Sequence, residues 1–148
     1  MTSTNHALTG AWLVVFIKNP AIVLPLALTS HFLIDMVPHW NHQAPKQYRA
    51  FINKAELAVS ALLIIGLVFT LDAPLWLLLA GIFLATAPDL MWLPEIWRNQ
   101  PLVMNGPSLV HKLRRFHQKI QWSETSIGLF VELAWLVFML MLFFYIAS

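Results

Sequence analysis

Apolar residues fill five stretches of the chain, roughly 7–17, 20–37, 55–71, 74–92 and 126–147. Short polar breaks at Lys18-Asn19-Pro20 and Asp72-Ala73-Pro74 interrupt them, as do two longer polar loops, 38–54 and 93–125. The runs lack the alternating polar residues of barrel strands, so they predict helices, the other structure that satisfies its own backbone in lipid. Ser126 to Ile146 is long enough to span alone at about 20 residues; the other runs are shorter or broken. The pattern predicts an all-α, polytopic membrane protein built as a single helical domain over 1–148. It has a hairpin over 7–37, a hairpin over 55–92, an interfacial helix over 108–121 and a span over 126–147, giving four to five embedded helices. Residues 1–20 show no basic region and no small-residue cleavage site, so they do not read as a removable signal peptide.

Composition supports this picture. Residues of the AVILMFWYC set make up 59% and charged residues 11%, against about 45–50% and about 25% in soluble domains. Mean hydropathy is +0.68. Disorder, a disulfide scaffold and a nucleic-acid-reading module are excluded on these grounds, and the absence of Cys removes thiolate ligands and thiol nucleophiles. Of nine Lys and Arg, eight lie in loops 38–54 and 93–125 and only Lys18 lies elsewhere. The positive-inside rule therefore puts both loops in the cytoplasm.

Candidate chemistry gathers on that same side. His31 and Asp35 are four apart and project from one helical face. Asp35 lies just before Pro38, at a helix C-terminal end where a carboxylate opposes the dipole and a cation would relieve it. Asp89 closes the fourth run in the same way. At about 1.5 Å per residue, His31 lies ~16.5 Å beyond Pro20 and His6 ~18 Å before Lys18, so an antiparallel helical hairpin brings the two histidines to one depth. In the stretch 108–121, Leu109, Leu113, Phe116 and Ile120 form an apolar stripe opposite a cationic face that anchors to anionic lipid headgroups. His117 sits beside the stripe and points back toward the bundle, while His111 lies about 120° away. Glu132, about 9 Å into the last span, is an intramembrane carboxylate and a candidate functional group. Asp72 reads as a helix N-cap, and Asn53-Lys54-Ala55-Glu56 as a capping box. All six histidines (6, 31, 39, 42, 111 and 117), with Asp35 and Asp89, map to one side of the membrane. Imidazole and carboxylate without thiolate suit zinc, manganese or iron.

At these residues the chain resembles the YdjM-like group of bacterial and archaeal membrane-bound metal-dependent hydrolases. The matching pieces are His6, Pro88-Asp89, the segment His111 to His117, and Ser30-His31-Phe32-Leu33-Ile34-Asp35. The His-x-x-x-Asp element is also similar to that of helical zinc-dependent phospholipase C enzymes. The order of the pieces differs, since Ser-His-x-x-x-Asp here precedes Pro-Asp.

Residues and resemblance together predict a metal-dependent hydrolase acting at the cytoplasmic interface on a phosphoester, of a lipid. His6, His31, Asp35, Asp89 and His117 are the expected ligands of a divalent metal, zinc first. Asp35, His39 and Glu132 are candidate catalytic groups, with His111 a further acid or base candidate. Arg114 and Arg115 are expected to hold the substrate phosphate through their planar forks. Membrane lipids are the expected partners, with a homo-oligomer as an option and no nucleic acid. A lipid-binding scaffold, a di-iron membrane oxidase and a transporter are the rival classes.

Overall fold

A computed structural model describes residues 1–40, 46–98, 100–101 and 103–147. The described residues are helical apart from turns and connections, in the order α1 (Ser3–Ile17), α2 (Pro20–Asp35), α3 (Lys46–Thr70), α4 (Leu75–Thr86), a 3-10 helix (Ala87–Trp92), α5 (Leu93–Arg98), α6 (Leu109–Ile120) and α7 (Gly128–Ala147). Three helical stretches, Phe51–Thr70, Leu75–Arg98 and Gly128–Tyr145, are long and apolar enough to cross a membrane. The apolar α2 is shorter, and α1, with 15 residues, extends only about 22 Å.

The first hairpin follows from its turn chemistry. Lys18 caps α1 in the left-handed conformation at φ 54° and returns its amide to the Val14 carbonyl. Asn19 then caps α2 by accepting from the Ala21 amide at 3.0 Å, and Pro20 occupies the first turn, where a missing N–H costs nothing.

α1 is the buried centre of the bundle, with Ala7, Leu8, Ala11, Trp12 and Val14 all shielded by α2, α3, α4 and α7. It packs most extensively on α4, and two glycines permit this. A Cβ on Gly10 would lie 2.6 Å from the Gly81 carbonyl oxygen, and one on Gly81 would lie 2.4 Å from Val14 Cγ2. Polar contacts fix the register, as expected where lipid provides no hydrophobic drive between helices. Thr4 pairs with Ser60 of α3 at 2.8 Å. On α7, Trp135 donates to Thr9 at 3.1 Å, and Trp12 donates to the Met139 carbonyl at 3.0 Å.

Several boundaries differ from the sequence reading. α3 begins at Lys46 and runs through 53–56, so the capping box does not form; Glu56 instead accepts from the Ser3 amide at 2.5 Å. Pro74, not Asp72, is the N-cap of α4. Asp89 does not end a helix, because Pro88 tightens the chain into a 3-10 turn with Asp89 in its first turn. His42 lies outside the described residues.

Candidate metal centre

Three elements and one tight turn converge on a single buried point. α1 supplies His6, α2 supplies His31 and Asp35 from successive turns of one face, the 3-10 turn supplies Asp89, and α6 supplies His117. His6, His31, Asp35 and His117 are at most 1% exposed, and the Asp89 side chain is 28% exposed. Asp35 is the hub: Oδ1 is 3.1 Å from His6 Nε2, while Oδ2 is 3.3 Å from His31 Nε2 and 3.0 Å from His117 Nε2. Asp89 stands behind, 3.8 Å from His31 Nε2, 3.6 Å from His117 Nε2 and 4.0 Å from His6 Nε2. The imidazoles stack, His6 on His31 at 4.0 Å and His31 on His117 at 5.1 Å between ring centres. The equal depth expected of His6 and His31 is thus realised by the antiparallel hairpin.

These residues can hold a metal ion, as two overlapping groups, His6–His31–Asp89 and His31–Asp35–His117. The hydrogen bonds give an independent reason. His31 Nδ1 lies 2.8 Å from the Ala85 carbonyl. A carbonyl only accepts, so Nδ1 carries the proton and a neutral His31 presents a lone pair at Nε2. That lone pair faces carboxylate oxygens of Asp35 and Asp89 and the His117 Nε2 at 2.9 Å. A buried lone pair aimed at anions is unfavourable unless a proton on Nε2 or a metal ion lies between them. The Met1 amino group, 2.5 Å from Asp35 Oδ1, answers the same field. Gln121 adds a donor to Asp35 Oδ2 at 3.4 Å.

The other candidates fall into distinct places. Arg114, expected to hold phosphate, is turned into the protein. It is 4% exposed, and its two terminal nitrogens bind Glu95 at 2.7 and 2.8 Å, the Val103 carbonyl at 2.9 Å and the Met91 carbonyl. The guanidinium also stacks over Trp92 at 4.9 Å. With these donors engaged, the residue clamps α6 to α5 and the 3-10 turn, bracing His117 against Asp89. Arg115 is exposed and reaches the Met104 and Gly106 carbonyls at 3.4 and 3.3 Å. Glu132 also lies outside the cluster, accepting from the Thr2 amide at 3.1 Å. With Glu56 it places a carboxylate at the positive end of α1, the helix that carries His6. His111 pairs with Ser108, the N-cap of α6, at 2.5 Å and takes no part in the cluster. Ser30 bonds back to the Ala27 carbonyl at 2.7 Å.

His39 and Asp89 both line a cavity of about 560 Å³. Its Nδ1 lies 2.9 Å from the Val37 carbonyl, and its buried Nε2 faces Glu124 Oε1 at 3.8 Å. Segment 38–40 is held by Thr125, whose amide donates to the His39 carbonyl at 2.9 Å. Gly128 permits this approach, since a Cβ there would lie 1.9 Å from the His39 carbonyl carbon. Sequence reasoning missed Gln121, Glu95 and Glu124. The signal for Gln121 was present: Arg114, His117 and Gln121, spaced i, i+3 and i+7, form the inward face of α6.

No protein-family model, curated protein or solved structure matches the chain.

Proposed function

We propose that the protein is a divalent-metal-dependent hydrolase of the membrane interface that acts on a phosphoester, of a lipid, with its site on the cytoplasmic side. The observation that carries this reading is the convergence of His6, His31, Asp35, Asp89 and His117, with His31 Nε2 turned by the Ala85 contact toward two carboxylates. A divalent ion held there would supply a nucleophile at neutral pH and polarise a phosphoryl oxygen. Zinc suits this donor set best, with manganese or iron able to replace it. His31 has one ring nitrogen to offer, so the two overlapping groups describe one centre binding one ion.

The remaining roles belong to the chain itself. Ala85 and Gln121 orient His31 and Asp35, a supporting arrangement typical of metal ligands. Asp89 is the one ligand with appreciable exposure and faces the cavity, so substrate approaches past it. His39 is the proposed proton carrier through Nε2, with Glu124 stabilising the charged ring. No Lys or Arg is among the described residues lining the cavity, so phosphate recognition falls to the metal rather than to Arg114. The motifs shared with membrane-bound metal-dependent hydrolases support the same reading. His39 and His111 stand apart from the cluster, which leaves three imidazoles there among the described residues and favours hydrolysis over a histidine-rich oxidase.

The test is elemental analysis of purified protein together with a screen of phosphomonoesters and phospholipids. One equivalent of metal, lost in His31→Ala and kept in His111→Ala, and hydrolysis restored by that metal, are the expected results. Metal-free protein, or equal metal in both variants, overturns the proposal.

A further inference from the structure

The cavity beside the cluster has two unlike ends. Its polar end carries His39, Asp89, Gln121 and Glu124, and α3 adds Glu56, bonded to the Ser3 amide, and Ser60, bonded to Thr4, on the side toward α1. Its apolar walls are Leu57, Ala61 and Ile64 of α3 facing Leu90, Leu93 and Ile96 of the 3-10 turn and α5. On α3 the lining positions Asn53, Leu57, Ala61 and Ile64 run down one helical face for about 16 Å. Both walls belong to stretches apolar enough to cross the membrane. Leu57 and Ala61 line the cavity and are solvent-accessible, so the channel is open along α3, a helix long and apolar enough to cross the membrane.

We infer that this cavity is a lateral acyl-chain channel, which takes one hydrocarbon chain of an amphiphile between α3 and α5 and sets its phosphate group beside Asp89. The headgroup end rests on the metal-centre reading above; the chain end rests on the apolar walls alone. The substrate class is then a long-chain phosphoester that enters from the bilayer without leaving it. Free phosphate or a short phosphoester would use the polar end only. Three carboxylates, Glu56, Asp89 and Glu124, line the cavity, and the cation there, the Met1 amino group, is engaged by Asp35, which leaves the metal as the partner for the phosphate.

Non-hydrolysable n-alkyl phosphonates of four to twelve carbons, with methylphosphonate as the head alone, separate the two ends. Binding is measured by calorimetry on metal-loaded protein in an amphipathic polymer, against polymer without protein. Affinity is expected to rise roughly tenfold per two methylenes until the channel is filled. Ala61→Phe, at the surface of α3, should abolish the rise without changing metal content or methylphosphonate binding. Ile64→Phe, at the deep end, should shift the plateau to shorter chains. Equal affinity at every chain length, or a rise that survives in both variants, overturns the channel. A rise that persists in protein without metal and without methylphosphonate binding leaves the channel standing and removes the hydrolase reading instead.

Discussion

Asp35→Asn is the most informative single change, because it keeps the shape of the hub and removes one negative charge. The wild-type carboxylate touches His6, His31 and His117 at 3.1, 3.3 and 3.0 Å while fully buried. Without metal the charge is out of water and at the C-terminal end of α2, where the helix dipole opposes it by about 0.3–1 kcal/mol, and the Met1 amino group is the cation against it. The amide removes both that cost and the Met1 pair, so metal-free Asp35→Asn should melt close to the metal-free wild type. With metal it should melt well below. A hundredfold loss of affinity removes about 2.7 kcal/mol of metal-linked stability under saturating conditions. For a chain of this size that corresponds to roughly 5–10 °C of the metal-induced rise in Tm. The assay is a thermal melt in detergent with zinc and with chelator, paired with elemental analysis, and Asp72→Asn, in the turn between α3 and α4, serves as the control. If Asp35→Asn keeps the full zinc-induced rise and the full metal content, the cluster is a hydrogen-bonded core and the reasoning fails.

Other changes test the parts separately. His39→Gln should retain the metal and lose at least a hundredfold in turnover, seen by comparing metal content with phosphoester hydrolysis. Arg114→Lys keeps the charge but not the fork on Glu95; it should cost about 2 kcal/mol in unfolding measurements and weaken metal retention. Gly10→Ala drives a Cβ to 2.6 Å from the Gly81 carbonyl oxygen, so α1 must move off α4; Tm should fall by several degrees, the effect of about 1–3 kcal/mol of overpacking. Imidazoles ligate only when neutral, so bound metal and its contribution to stability should be present at pH 8 and lost on acidification. The loss should be steeper than one proton per ion in a pH-resolved metal-retention assay.

The helical class and the membrane setting follow from composition and run length, because lipid leaves an apolar chain few ways to satisfy its backbone. The pairing of His6 with His31 was also legible, since Lys18-Asn19-Pro20 forces a turn and the helical rise then sets both depths. His117 followed from its angle on α6. Arg114 did not: an amphipathic wheel places it among the cations, whereas packing turns the Arg114–His117–Gln121 face inward and leaves Leu109, Leu113 and Phe116 outside. Glu56 and Glu132 were likewise unreadable, because what they touch, the first turn of α1, is more than 50 residues away in each case. Local pattern determined which helices form and which residues share a face. Only the tertiary structure decided which faces meet, because that depends on how closely α1 can approach α4 at Gly10 and Gly81, and spacing along one helix carries no information about the surface of another.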